Sequence, residues 1–204
     1  GLQDTAENLA LPKTNFWIYP GADYRGQVEN FLAAPDSHDI PLTYISFPSA
    51  KDPSFAERYP GRATIEIVAP GPFEWYQDWA DQPWGKRGED YEAKKDAYAQ
   101  RLLEKLYEKM PHLRGKVDYY ELSTPLSTDY FCRYSTGEIY GLDHTPERFE
   151  QDWLKPKTRL PGLYLTGQDI MTCGVVGAMI GGLLTTVAVS GLKGLPLAKK
   201  MFVG

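Results

Sequence analysis

The sequence predicts an α+β fold: an antiparallel sheet with flanking helices, followed by a C-terminal strand–helix pair. Three observations carry this. Three short segments in the first third of the chain alternate in the β manner with no long helix between them, which points to antiparallel pairing. Asp90 to Met110 repeats apolar residues at helical spacing. From Leu163 onward a short apolar run, a polar turn and an uncharged glycine-rich stretch follow one another.

Asn15 to Tyr19 (NFWIY) reads as the first strand, ended by Pro20-Gly21, and Tyr24 to Ala33 as a short helix. Leu42 to Phe47 is the second strand, with Tyr44 and Ser46 on one face and Thr43, Ile45 and Phe47 on the other. In Ala63 to Val68, Ile65 and Ile67 face one side, Glu66 and Val68 the other. The intervening Ser49-Ala50-Lys51-Asp52-Pro53 reads as a turn fixed by Asp52-Pro53, with Lys51 near a phosphate or substrate hydroxyl as the competing reading. Pro72 to Trp79 is a short helix or turn. Tyr91, Ala97, Tyr98, Leu102, Leu106 and Met110 form the stripe of the long helix, which Pro111 ends. Val117 to Ser123 is a candidate fourth strand, and Thr124-Pro125 reads as cap and first residue of another helix. Leu163 to Leu165, after the Pro161-Gly162 turn, has the pattern of a strand buried on both faces.

Composition narrows the function classes. A chain of 204 residues that is 42% hydrophobic and 24% charged is an ordinary globular sequence with room for a sizeable core. Its net charge of −5, with scattered lysines and arginines, gives no support to a nucleic acid or an anionic membrane surface as partner. Cys132 and Cys173 have no metal or redox spacing and are expected to be small buried side chains in a reducing compartment. No metal site is expected. Fourteen tyrosines and five tryptophans suit half-buried sheet positions, or an aromatic-lined groove for a long apolar ligand.

Chemistry concentrates near the end. Gly167 closes the apolar run where a side chain would obstruct a close approach. Gln168 and Asp169 occupy the turn, at the strand edge where open α/β sheets bind ligands. Gly174, Val175, Val176 and Gly177 then form the first turn of a helix whose free N–H groups favour an anionic or electron-rich partner. That order of parts suits the phosphates and ribityl chain of a large cofactor. Two other readings compete: a core helix packed closely on a sheet, and a membrane span. Gly174 to Leu192 is 19 uncharged residues, close to the ~20 that span a bilayer, although four glycines lower its hydrophobicity. A second polar set, Glu138, Tyr140, Asp143 and His144, offers Tyr140 and His144 as proton donors; the structural alternative is that His144 caps a turn.

The run Tyr164-Leu165-Thr166-Gly167-Gln168-Asp169 with Gly174-Val175-Val176-Gly177-Ala178 resembles the C-terminal FAD-binding segment of the phytoene desaturase and carotenoid isomerase group. Ser46-Phe47-Pro48-Ser49-Ala50-Lys51-Asp52-Pro53, Lys86-Arg87-Gly88-Glu89-Asp90-Tyr91 and Gly137-Glu138-Ile139-Tyr140-Gly141-Leu142-Asp143-His144 narrow the likeness to its retinol saturase branch. The resemblance runs from about Leu11 to Leu192. It implies part of a two-domain FAD-dependent α/β flavoprotein, an oxidoreductase acting on C=C bonds of a long, lipophilic polyene such as a retinoid or carotenoid. NAD(P) is a possible electron donor. Residues 1–155 would belong to the substrate-binding domain and 156–204 to the FAD-binding domain. Asp169 would contact the ribityl chain or pyrophosphate, Gly167 would allow close approach, and Gly174 to Gly177 would aim N–H groups at the flavin's pyrimidine edge.

Members of the group begin with a G-x-G-x-x-G turn that grips the ADP half of FAD. This sequence has none, so it is expected to be a C-terminal fragment, inactive alone. Other chemistry of the same flavoenzyme type (isomerase, desaturase or amine oxidase) and a non-catalytic module are the alternatives. The expected location is cytoplasmic, or peripheral on the cytoplasmic side of a membrane. Leu192 to Val203, with Lys193, Lys199 and Lys200, is the candidate docking surface; the favoured alternative is a disordered tail or a helix that packs on another domain.

Overall fold

A computed structural model describes residues 1–203, with side-chain surroundings described for all of these except 192, 197, 198 and 201–203. The fold is mixed helix and sheet and divides into two compact units, Gly1–Gly137 and Glu138–Gly204.

In the first unit β1 (Phe16–Ile18), β2 (Thr43–Ser46) and β3 (Glu66–Val68) form an antiparallel sheet in the order β1-β2-β3. The register places Phe16 opposite Ile45 and Ile45 opposite Ile67. Thr43, Ile45 and Phe47 are buried while Val68 is exposed, so the sheet has one core face, as its alternation predicts. Helix α1 (Tyr24–Ala33) follows β1; its start is held by Asp23, whose Oδ1 accepts from Gly26 N at 3.0 Å. Two four-residue turns, α2 (Pro48–Lys51) and α3 (Phe55–Arg58), stand between β2 and β3. Ser49 Oγ donates to Thr64 O and accepts from Thr64 N, so this turn is pinned to the stretch that leads into β3. Pro72 to Trp79 forms two short 3-10 turns, Phe73–Trp75 and Gln77–Trp79.

Helix α4 (Glu89–Lys109) supplies the other half of the core. Leu106 and Met110 pack with Leu2, Ile45, Phe47 and Leu113. One turn earlier, Tyr98 and Leu102 pack with Phe31 and Ile40. The buried stripe includes Ala99 where the sequence pattern put Ala97, which is exposed. Helix α5 (Pro125–Cys132) opens with a capping box between Thr124 and Ser127 and with Pro125 in its first turn.

Three expectations fail. Val117 to Ser123 forms no strand; only Val117 makes a bridge, to Leu2, and Tyr119 and Tyr120 are exposed. The run Asp118-Tyr119-Tyr120-Glu121 offers no apolar alternation to bury one face, so nothing selects a register. Leu163 to Leu165 is not a strand buried on both faces. Tyr164 makes a single bridge, to Lys157, Leu165 N donates to Pro156 O, and Leu163 is exposed. A buried strand needs neighbours on both edges, and among the described residues only the 156–158 stretch provides one. Cys132 and Cys173 are both exposed rather than buried, because they stand at helix ends: the last residue of α5 and the residue capping the next long helix.

The second unit contains the one-turn helix α6 (Pro146–Phe149), a 3-10 turn at Gln168–Ile170, the helix α7 (Gly174–Ser190) and α8 (Gly194–Val203). Among the described residues no helix is long and apolar enough to cross a membrane; α7 has 17 residues. The apolar side chains of the 192–203 docking surface lie largely outside the described residues.

Candidate functional site

The second unit gathers the polar residues singled out in the sequence around the start of α7. Asp169 is half-buried. Its Oδ1 accepts from Leu142 N at 2.9 Å, tying the 167–171 turn to the 138–145 loop. Gly141 is small for this reason: a Cβ there would lie 2.0 Å from the same oxygen. Gln168 turns its side-chain carbonyl onto the helix, where Oε1 accepts from Gly174 N at 3.0 Å. His144 Nε2 accepts from Cys173 N at 2.8 Å, a bond that requires a lone pair on Nε2. The first two amides at the head of α7 are thus held by side chains from two different segments. His144 N in turn donates to Asp143 Oδ1 at 2.8 Å. Tyr140 lies in the same loop and is exposed.

The glycines of α7 divide by what surrounds them. A Cβ on Gly177 would lie 1.8 Å from Thr172 O, and one on Gly181 would lie 2.2 Å from Gly167 O. These two residues let the helix pack directly on its own preceding turn, the close-packing reading of the bald face. Gly174 differs. It has a positive φ of 87°, and a Cβ there would meet nothing within 4 Å. Val175 and Val176, which follow it, are exposed at 87% and 64%. Cys173 gives the helix no side-chain cap, so the Val175 and Val176 N–H groups lack the acceptor an N-cap residue usually supplies. The head of α7 therefore presents open donors and no charge, with open space at Gly174 beside the exposed Val175 and Val176. The residues fit one end of a flat, electron-rich group.

Arg148, on α6, escaped the sequence reading. It is only 7% exposed. Nη1 donates to Leu142 O at 2.9 Å, and Nη2 donates to Gln168 O at 3.1 Å and Asp169 O at 2.8 Å. Nη1 also lies 3.0 Å from each ring nitrogen of His144. In sequence it stands in a Pro-Glu-Arg-Phe turn among charged residues, where an arginine reads as a solvated surface cation. Only its position three residues into a Pro-started turn hinted that it could point back into the fold. No group of His, Cys, Asp and Glu able to hold a metal occurs among the described residues.

Fold and site together define an α+β chain whose carboxylate-bearing turn runs into an uncharged glycine-rich helix. The particular proteins it matches are all-trans-retinol 13,14-reductases, also called retinol saturases, and the chain is retinol-saturase-like. It is 38% identical over 194 residues to that of Macaca fascicularis, covering 92% of this chain and 32% of the relative. The protein of Homo sapiens is 37% identical over the same span. A Danio rerio relative named as an inactive all-trans-retinol 13,14-reductase is 32% identical over 195 residues, 90% of this chain and 31% of its own length. The chain thus spans about a third of the length of the curated relatives it matches. No protein-family model and no solved structure matches it.

Proposed function

We propose that this chain is part of an FAD-dependent oxidoreductase that acts on C=C bonds of a retinoid or a similar long polyene, with the head of α7 as a flavin-contacting element. The observation that carries the reading is the open first turn at Gly174, Val175 and Val176, fixed from behind by Gln168 and His144. Similarity to the 13,14-reductases over nine-tenths of the chain supports the choice of substrate class. Leu163, Val175, Val176, Leu184, Val189 and Leu195 are large apolar side chains left exposed in the second unit. Such a concentration suits a segment that packs within a larger protein.

In this reading the bound flavin supplies hydride transfer to one carbon of a C=C bond. The chain's own residues do the rest. The Val175 and Val176 N–H groups and the positive end of the helix dipole favour electron density placed against them. Asp169 offers its second carboxylate oxygen to a hydroxyl, since Oδ1 is taken by Leu142 N. A proton for the other carbon needs an accessible donor. Tyr140 is exposed, whereas His144 Nε2 is occupied by Cys173 N, so Tyr140 is the better placed of the two in this geometry. NAD(P) remains the electron donor to test. Peripheral membrane docking through residues 192–203 would give access to a lipid-dissolved substrate, and liposome binding that survives deletion of this tail would count against it.

The experiment is product analysis. The protein, made at the full length of its reading frame with FAD and a chemical reductant, is incubated with all-trans-retinol and separately with a carotenoid. Saturated retinol alone supports the proposal; isomerised or desaturated carotenoid with untouched retinol would replace it by the isomerase or desaturase reading. A non-catalytic role is the second reading, favoured by one observation: a relative 32% identical over 195 residues is itself named as inactive.

A further inference from the structure

Arg148 carries a positive charge almost wholly out of water, yet the ion pairs among the described residues do not include it. Its charge is offset by three backbone carbonyls and the His144 ring, and its Nε is buried without a partner. Burying an ion carries a desolvation cost that persists after the surroundings relax. A side chain serving only to fill this space would be more stable uncharged.

Its partners show what the charge achieves. In a trans peptide the C=O and N–H point in opposite directions. Drawing the Gln168 and Asp169 carbonyls onto one guanidinium therefore turns the Asp169 and Ile170 N–H groups away from it. Gln168 and His144, the two residues that hold the Gly174 and Cys173 amides, both touch Arg148. Leu142, whose carbonyl it also holds, is the residue that anchors Asp169. One planar fork thus fixes the loop, the turn and the helix head together, a geometry that a lysine ammonium does not reproduce. The buried cation also adds positive potential behind donors that already favour an anionic or electron-rich group.

We propose that Arg148 is the positioning residue of the flavin-contacting turn. Almost wholly buried, it would act through the turn it holds: it presets the 168–176 segment and its polarity so that binding does not have to order it. The proposal rests on the flavin reading above, and its test separates the two. FAD is titrated by flavin fluorescence into the protein at the full length of its reading frame, with Arg148 intact, as Arg148→Lys and as Arg148→Gln. Amide hydrogen exchange is followed in the same three proteins without FAD.

Arg148→Gln is expected to weaken FAD binding by at least about tenfold and Arg148→Lys by less, since charge without the fork is retained. Exchange should quicken at Leu142, Cys173 and Gly174 while the amides of 181–188 stay protected. Equal FAD affinity in all three proteins would overturn the role of Arg148 and leave the flavin reading standing. Failure of the intact protein to bind FAD would overturn the flavin reading, and the positioning role with it, whatever the exchange shows. Loss of protection throughout α7 in both variants would also overturn the proposal, because Arg148 would then hold the fold rather than the turn.

Discussion

Gly177 and Gly181 show how narrow the tolerance is at single positions. Each faces a backbone oxygen of the preceding turn, and neither neighbour is the end of a flexible side chain. Gly177→Ala or Gly181→Ala is expected to cost about 1–3 kcal/mol by overpacking. Gly182→Ala, where a Cβ meets nothing within 4 Å, should gain up to ~1 kcal/mol of helix propensity. Chemical denaturation of the three variants checks the contrast, and equal effects would mean that α7 does not pack on residues 167–172. Another single group sets an alkaline limit. Burial pushes the Tyr76 hydroxyl up from 10.0 to about 12, with the neighbouring Tyr91 adding to it. A raised folded-state value means that this contribution to stability is complete below pH 10 and is lost as the pH rises toward about 12. Tyr76→Phe should flatten the fall in melting temperature across that window. Tyr98 is raised in the same direction, mainly by burial, so part of the slope should remain. Residue identity by itself disclosed little of this. Asp169 and Gln168 stood out as polar residues between an apolar run and a glycine-rich helix. Arg148 did not, because its importance comes from a fold-back that brings it to carbonyls about 20 residues away, and such contacts leave no periodic trace.

Elements were legible where periodicity and punctuation agreed. Helix α4 has a continuous apolar stripe with a proline stop, and α5 has its Thr-Pro start. The three predicted strands form, and in β2 the predicted face of Thr43, Ile45 and Phe47 is buried, with Ser46 buried on the other side. The failures came where one signal stood alone. Tyr119 and Tyr120 have β propensity but no alternation, and Leu163 to Leu165 is apolar but lacks partners on both edges. Propensity does not make a strand without something to pair with. Two substitutions test the elements that did form. Leu106→Ala removes a core side chain where α4 meets the sheet's buried face and is expected to cost about 2–5 kcal/mol in urea unfolding. Thr124→Ala removes the cap of α5 and the 2.7 Å hydrogen bond between Thr124 and the buried Tyr91 hydroxyl. It should cost about 1–3 kcal/mol. A cost near zero would show that the capping box contributes nothing beyond the proline start.

At the scale of the molecule, the α+β class follows from the sheet and helices present. The chain spans about a third of the length of the relatives it resembles. In the proposed reading, the Gly174 to Val176 turn offers its N–H groups to one end of a flavin. Whether the chain contacts a flavin can be read from the visible absorbance of the protein made at the full length of its reading frame, mixed with FAD and then freed of unbound flavin by gel filtration. Flavin absorbance should travel with the protein, and Arg148→Gln should reduce it. A colourless protein peak, with all the FAD eluting as a small molecule, would rule the flavin contact out.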